Sequence, residues 1–65
     1  MTKNEAIITF KGDENTIFEF TGEIRDESAT QIKGFGSLKT GNISFYLIGC
    51  LINKAKIIKI QEVNL

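Results

Sequence analysis

The sequence contains no proline, histidine or tryptophan, and its only cysteine is Cys50. One cysteine cannot form an intramolecular disulfide, and without histidine the commonest zinc ligand is missing. These are the devices that usually stabilise very small domains. We therefore expect either a dense core or a core completed by another chain, and we predict no cofactor and no metal.

The composition favours β-structure. At 65 residues the chain is long enough for one domain, residues 1–65, and it contains eleven Ile, five Phe and six Thr. Branched and aromatic side chains pack well on a pleated surface. The prediction is an all-β fold, a small five-stranded antiparallel meander that is barrel-like or strongly curled.

The location is predicted from what the sequence lacks. Residues 1–5 have neither the basic stretch nor the apolar region of a signal peptide, and the longest apolar run is shorter than the ~18 residues that span a bilayer. A single thiol inside an apolar run, at Cys50, is typical of a reducing compartment. We expect a cytoplasmic protein with no membrane partner.

The first hairpin is predicted in detail. Strands over 5–11 and 16–24 flank a polar segment in which a three-residue loop, 13–15, has Asn15 in the left-handed region. A loop of this length pairs apolar residues across the two strands, whereas a longer loop would pair Ile8 with a glutamate. The predicted pairs are Phe10 with Phe18 and Ile8 with Phe20.

A third strand is predicted over residues 29–38. Ser28 and Gln31 have the spacing of a helix capping box, but a helix starting there would meet Gly34 and Gly36 within two turns. The segment also has no apolar repeat of helical period, so a strand is favoured.

The most apolar stretch is residues 43–52, in which eight of ten residues are apolar. It predicts a strand that is excluded from water on both faces. The alternative is a helix at about 44–56 lying on a four-stranded sheet, because periodicity alone does not assign apolar runs of this length.

A tight turn at 39–42, with Gly41 at positive φ, is predicted to join the third and fourth strands. The predicted register pairs Leu38 with Ile43. Large side chains that cover glycines across a strand pair stabilise a sheet. The register places Phe45 opposite Gly36 and Leu47 opposite Gly34.

A second two-residue turn, at Asn53 and Lys54, is predicted to return the chain as a fifth strand over 55–63. This strand is expected to pair with the fourth strand. The predicted pairs are Leu47 with Ile60 and Gly49 with Ile58.

These registers predict an apolar core on one face and a second apolar set on the other. Such a patch usually marks an interface, so we expect a homo-oligomer first, most simply a dimer, another protein partner second and nucleic acid third. The predicted core comprises Ile8, Phe10, Phe18, Phe20, Ile24, Ile32, Leu38, Phe45, Leu47, Ile58 and Ile60. The predicted binding residues are Lys33, Phe35, Tyr46, Ile48, Cys50, Ile52, Ile57 and Lys59.

The segment Lys33-Gly34-Phe35-Gly36 is similar to the start of the ribonucleoprotein motif in cold-shock and RNA-recognition domains. The resemblance covers four residues and a hydrophobic residue at Leu38, with Ser37 where the motif has an aromatic residue. It implies that strand aromatics stack on the bases of a single strand. The corresponding platform here is Phe35 beside Tyr46, flanked by Lys33 and Lys59.

Charge is unevenly distributed along the chain. Residues 1–32 contain three basic and seven acidic side chains, whereas residues 33–65 contain five basic and one acidic. Such asymmetry can indicate nucleic-acid contact or head-to-tail complementarity between protomers, and it can equally be a neutral surface unevenly distributed.

No set of titratable residues has the spacing of a catalytic site, and we expect no enzymatic activity. The prediction is a non-enzymatic interaction or inhibitor protein that binds another macromolecule through an apolar sheet face. From size and composition we further hypothesise an accessory protein of a phage or mobile element.

Overall fold

The computed structural model of the chain describes residues 4–64, with side chains for residues 5–62. Residues 1–3, which carry most of the segment used above to argue against a signal peptide, lie outside the described residues. Within residues 4–64 the chain forms five β-strands, two 3₁₀ turns and no α-helix, so the all-β prediction is confirmed and the helix at 44–56 is wrong. The elements are β1 (Asn4–Lys11), η1 (Asp13–Asn15), β2 (Ile17–Glu27), β3 (Gln31–Thr40), β4 (Ile43–Asn53), η2 (Lys54–Lys56) and β5 (Ile57–Asn64).

The strands of the described residues form one antiparallel sheet in the order β4-β3-β2-β1-β5. β4 and β5 are the edges, yet only the three residues of η2 join them. A flat sheet of this size would separate its edges by about 19 Å, whereas three linking residues span at most about 14 Å. The sheet must therefore curl, and it remains open between β4 and β5.

The first hairpin forms as the alternation predicts. Ile8 pairs with Phe20 and Phe10 pairs with Phe18, and the two rings of the second pair stack with their centroids 5.4 Å apart. Asn15 is left-handed, with φ 63°. Both the register and the loop conformation are confirmed.

Phe20 occupies the centre of the core because glycines make room for its ring. A Cβ added at Gly34 would lie 2.6 Å from the Phe20 ring, and one added at Gly22 would lie 3.0 Å from it. Gly22 also lies opposite Gly36. A ring does cover glycines on this sheet, but it is Phe20 and not Phe45.

The predicted register between β3 and β4 is wrong. The turn has two residues, so Thr40 pairs with Ile43 and Leu38 pairs with Phe45. Gly41 has positive φ, 57°, as predicted. Beyond Leu38 one residue of β3 faces two residues of β4, Tyr46 and Leu47, which form a β-bulge. The side chains that face Gly36, Phe35 and Gly34 are then Ile48, Gly49 and Cys50.

The predicted pairing of β5 with β4 is also wrong, because β5 pairs with β1. The segment expected to make a tight turn instead forms η2. Asn53 caps it by accepting a hydrogen bond from the Ala55 N–H at 2.9 Å, and the Lys54 N–H donates to the Thr30 carbonyl at 2.8 Å. This places Ile60 opposite Ile8, on the side of β1 that faces away from β2.

The bulge in β4 also explains which residues of this strand beyond Phe45 the sequence assigns to the wrong face. Successive side chains of a strand alternate between faces, so one extra residue reverses the alternation beyond it. Ile52 is consequently buried, at 1% exposure, and Cys50 packs against the core. On β5, Ile57 packs against the core because it faces Phe10 of β1. Leu47, a predicted core residue, is exposed. The buried core of the described residues comprises Ala6, Ile8, Phe20, Ile32 and Ile52.

Candidate interaction surface

One row of residues that pair across successive strands crosses the whole sheet, and every residue in this row is apolar. Its middle is fully buried, with Phe20 and Ile8 at 0% exposure, whereas its ends are half exposed, with Phe45 at 46% and Ile60 at 43%. The ends are exposed because they lie on the edge strands of an open sheet. The row runs Phe45, Leu38, Phe20, Ile8 and Ile60 across β4, β3, β2, β1 and β5.

Further large apolar side chains flank the two ends of this row. Tyr46 and Leu47 are 74% and 76% exposed at the bulge. Because β4 and β5 border the same opening of the curled sheet, we treat these exposed side chains as one surface, the β4–β5 rim. The rim comprises Ile43, Phe45, Tyr46, Leu47, Ile58 and Ile60.

Leu47 is the most unusual residue of the rim. Its φ is +55°, a left-handed conformation that costs a non-glycine residue about 1 kcal/mol or more. The other non-glycine residues with positive φ among those described are Glu14 and Asn15, which form the polar turn η1. Burial does not offset the cost at Leu47, because three quarters of the residue is exposed.

The eight residues predicted to share one binding face do not share it. Ile48, Cys50 and Ile52 belong to the core side of the sheet because of the bulge in β4, and Ile57 does so because it faces Phe10 of β1. The predicted placement of these four residues on the opposite face is wrong. Tyr46 belongs to the rim. The remaining three, Lys33, Phe35 and Lys59, are exposed on the other face or on the far edge strand, β5.

The aromatic platform expected for nucleic acid is not assembled. Phe35 lies opposite Gly49 and not opposite Tyr46. The Arg25 guanidinium stacks on the Phe35 ring, 5.3 Å from its centroid. Lys33 lies opposite Asp26. Binding of single-stranded nucleic acid stays a prediction, without the adjacent aromatic pair on which it was based.

The uneven charge distribution along the chain is balanced within the fold. β2, which is acidic, lies beside β3, so that Glu19 faces Lys39 across the strand pair. Lys54 of η2 forms an ion pair with Glu27 at 2.6 Å. Segments of opposite charge thus become neighbours in the monomer, and the asymmetry does not require a charged partner.

A cleft of about 300 Å³ lies at one end of the outer face of the described residues, and its charged groups are Glu19 and Lys39. No group of three or more potential metal ligands occurs within the described residues. Cys50 is half-buried, and burial raises the pKa of its thiol, which lowers the thiolate fraction at neutral pH.

Four of the rim residues, Phe45, Leu47, Ile58 and Ile60, were assigned to the core from the sequence. Each is apolar and occupies a strand, and alternation alone placed it on the inner face. The missing information was which strands are edges and where the bulge falls. The exposed Leu47 carries no sequence signal of its own, because a left-handed bulge position is usually recognised by glycine.

The fold and the surface define a small, open, single-sheet β protein with an apolar rim at its two edges. Comparison with known proteins identifies no relative, since no family model, curated protein or solved structure matches the chain. Within the described residues no helix is long and apolar enough to cross a membrane.

Proposed function

We propose that this chain is a non-enzymatic interaction protein that binds another protein molecule, most simply a second copy of itself, through the β4–β5 rim. The observation that carries the proposal is Leu47, which is both conformationally strained and exposed. Residues in strained conformations cluster at functional sites, and at this bulge position a glycine would avoid the strain. A partner that buries Leu47 accounts for a leucine at this position.

The composition of the rim supports a protein partner. Its members are aliphatic or aromatic. One of them is Tyr46, and tyrosine is enriched among the few residues that contribute most of the binding energy in protein interfaces. The pairing of charges within the monomer leaves apolar contact as the main contribution to binding. We propose that the protein works in a reducing compartment such as the cytoplasm, and the inhibition of a host factor stays a prediction from composition.

The test compares two exposed leucines of the same strand. Leu47 belongs to the rim, whereas Leu51 lies beyond the bulge, opposite Lys33. Sedimentation velocity over a range of concentrations measures self-association of the wild type, Leu47→Ala and Leu51→Ala. We expect Leu47→Ala to weaken association by about tenfold or more, equivalent to about 1.4 kcal/mol, and Leu51→Ala to have little effect.

A third variant separates binding from stability. Leu47→Gly removes the cost of positive φ, partly offset by the greater freedom of glycine in the unfolded chain. We expect the monomer to be as stable as the wild type or up to about 1 kcal/mol more stable in denaturant melts, while association is lost.

The proposal is contradicted if the wild type sediments as a 7.3 kDa monomer throughout and Leu47→Ala captures the same proteins from the native host as the wild type does. Such a result would show that the rim is not a binding surface for its own chain or for another protein.

A further inference from the structure

The two edges of the sheet differ in their protection against pairing with another chain. β5 carries Lys59 and Glu62, and charged side chains of this kind discourage the addition of a further strand. β4 has no charged residue from Ile43 to Asn53, unlike the other strands of the described residues. β4 is therefore the edge at which a further strand can add.

The direction of the strands determines how two copies can join. Each neighbouring pair in the sheet is antiparallel, so the edge strands β4 and β5 run in the same direction. Head-to-tail addition of β5 onto β4 would require a parallel pair. Two β4 strands related by a two-fold axis are antiparallel, and this arrangement closes as a dimer.

The part of β4 available for pairing is its first half. Towards the end of the strand the curl covers the inward-facing side chain of Ile52, which is almost fully buried. The bulge at Tyr46 and Leu47 interrupts the ladder. Residues 43–46 therefore form the strand segment that is accessible at the edge, with Leu47 immediately beside it.

Within this segment Ser44 is the natural centre. Thr40 and Ile43 close a two-residue turn, and such a closing pair exchanges both of its backbone hydrogen bonds. Because hydrogen-bonding directions alternate along a strand, the N–H and C=O of Ser44 point away from β3. Ser44 is exposed and lies opposite Lys39 on the outer face.

We infer that a second copy of this chain pairs with the first through β4, antiparallel and about a two-fold axis at Ser44, so that the two sheets become continuous. The inference rests on the proposed function, because the same contact covers Phe45, Tyr46 and Leu47. The four rim side chains that belong to β4 expose on the order of 500 Å². The backbone edge of the strand adds to this area, towards the ~800 Å² per partner of a standard interface.

The decisive variant is Ser44→Glu. In the monomer the new carboxylate faces Lys39, a favourable cross-strand pair, so the fold is retained. In the dimer two carboxylates meet directly across the two-fold axis. We expect dimer affinity to fall by about a hundredfold or more in sedimentation equilibrium, with unchanged β-type circular dichroism.

Gln61→Glu is the matched control, because it adds the same carboxylate to the exposed outer face of the other edge strand, β5. It should leave the dimer intact. A dimer that survives Ser44→Glu, or that dissociates with Gln61→Glu instead, overturns the inference. If Leu47→Ala still dissociates such a dimer, the rim is the interface and only the pairing of β4 strands is wrong.

A covalent probe tests the position of the axis. In a Cys50→Ala background, Ser44→Cys places two thiols opposite each other at a spacing that a disulfide can bridge. Mild oxidation should convert the protein to a covalent dimer, whereas Gln61→Cys in the same background should not. Equal yields from the two positions would contradict an axis at Ser44.

Discussion

The middle and the ends of the apolar row that crosses the sheet contain similar residues in different surroundings. Phe20 and Phe45 occupy the same row, yet Phe20 is completely buried and Phe45 is half exposed. The difference arises from position in the sheet. β2 has a neighbour on each side, whereas β4 is an edge that the curl does not close.

This contrast separates the residues that stabilise the monomer from those that are available to a partner. Apolar surface removed from water contributes about 25 cal/mol per Å² to folding, so the middle of the row stabilises the monomer. The same apolar surface at the ends contributes only when a partner covers it. A chain of 65 residues with five buried core residues among those described has little stability to spare.

The largest expected effect compares the same substitution at two positions of the row. Phe20→Ala removes a fully buried ring and leaves a cavity over Gly22 and Gly34, which should cost about 3 to 5 kcal/mol. Phe45→Ala should cost the monomer about 1 kcal/mol or less. Denaturant melts are made at a concentration at which sedimentation shows the monomer, because a dimer would add its own stability.

The loss of stability expected for Phe20→Ala is large enough to unfold the domain. Phe20→Leu and Phe45→Leu therefore provide a milder version of the same comparison. The buried position should again lose more stability than the edge position. Equal losses at the two positions would mean that the ring at Phe45 is covered within the monomer, and the rim would then be smaller than described.

Glycines provide the second comparison between the interior and an edge. A Cβ at Gly36 would lie 2.4 Å from the Thr21 carbonyl oxygen, whereas one at Gly49 would meet nothing within 4 Å. Since backbone does not move aside easily, Gly36→Ala should cost about 1 to 3 kcal/mol. Gly49→Ala on β4 should stay within about 0.5 kcal/mol of the wild type. A neutral Gly36→Ala in the same melts would contradict the close approach of β2 and β3.

The parts of the fold that the sequence predicts well depend on local patterns. The first hairpin has strict alternation on both strands and a loop whose residues accept positive φ, so one register satisfies all of them. Fold class follows from composition for a similar reason, because branched and aromatic residues favour strands throughout the chain.

The parts of the fold that the sequence predicts poorly depend on which strands, distant in the sequence, pair with each other. β5 can pair with β4 or β1 with similar apolar contacts, and the choice is made by the cap at Asn53 and by the backbone bond from Lys54 to Thr30. The bulge at Tyr46 and Leu47 reverses the alternation of an almost uniformly apolar strand. A uniformly apolar sequence does not show such a reversal, so Ile48, Cys50 and Ile52 were predicted on the wrong face.

The smallest expected effect concerns the link that holds the two edges near each other. Lys54 of η2 pairs with Glu27 at the end of β2, and the side chains are 33% and 51% exposed. Because exposed ion pairs are screened by water, a double-mutant cycle of Glu27→Ala and Lys54→Ala should give a coupling of about 0.5 kcal/mol. The coupling should shrink in high salt.

Lys56 lies in the same turn and is exposed, and the cycle of Glu27→Ala with Lys56→Ala should show no coupling. Equal coupling for the two lysines would mean that any positive charge near η2, and not this particular ion pair, interacts with Glu27. The curl would then depend mainly on the backbone hydrogen bond between Lys54 and Thr30.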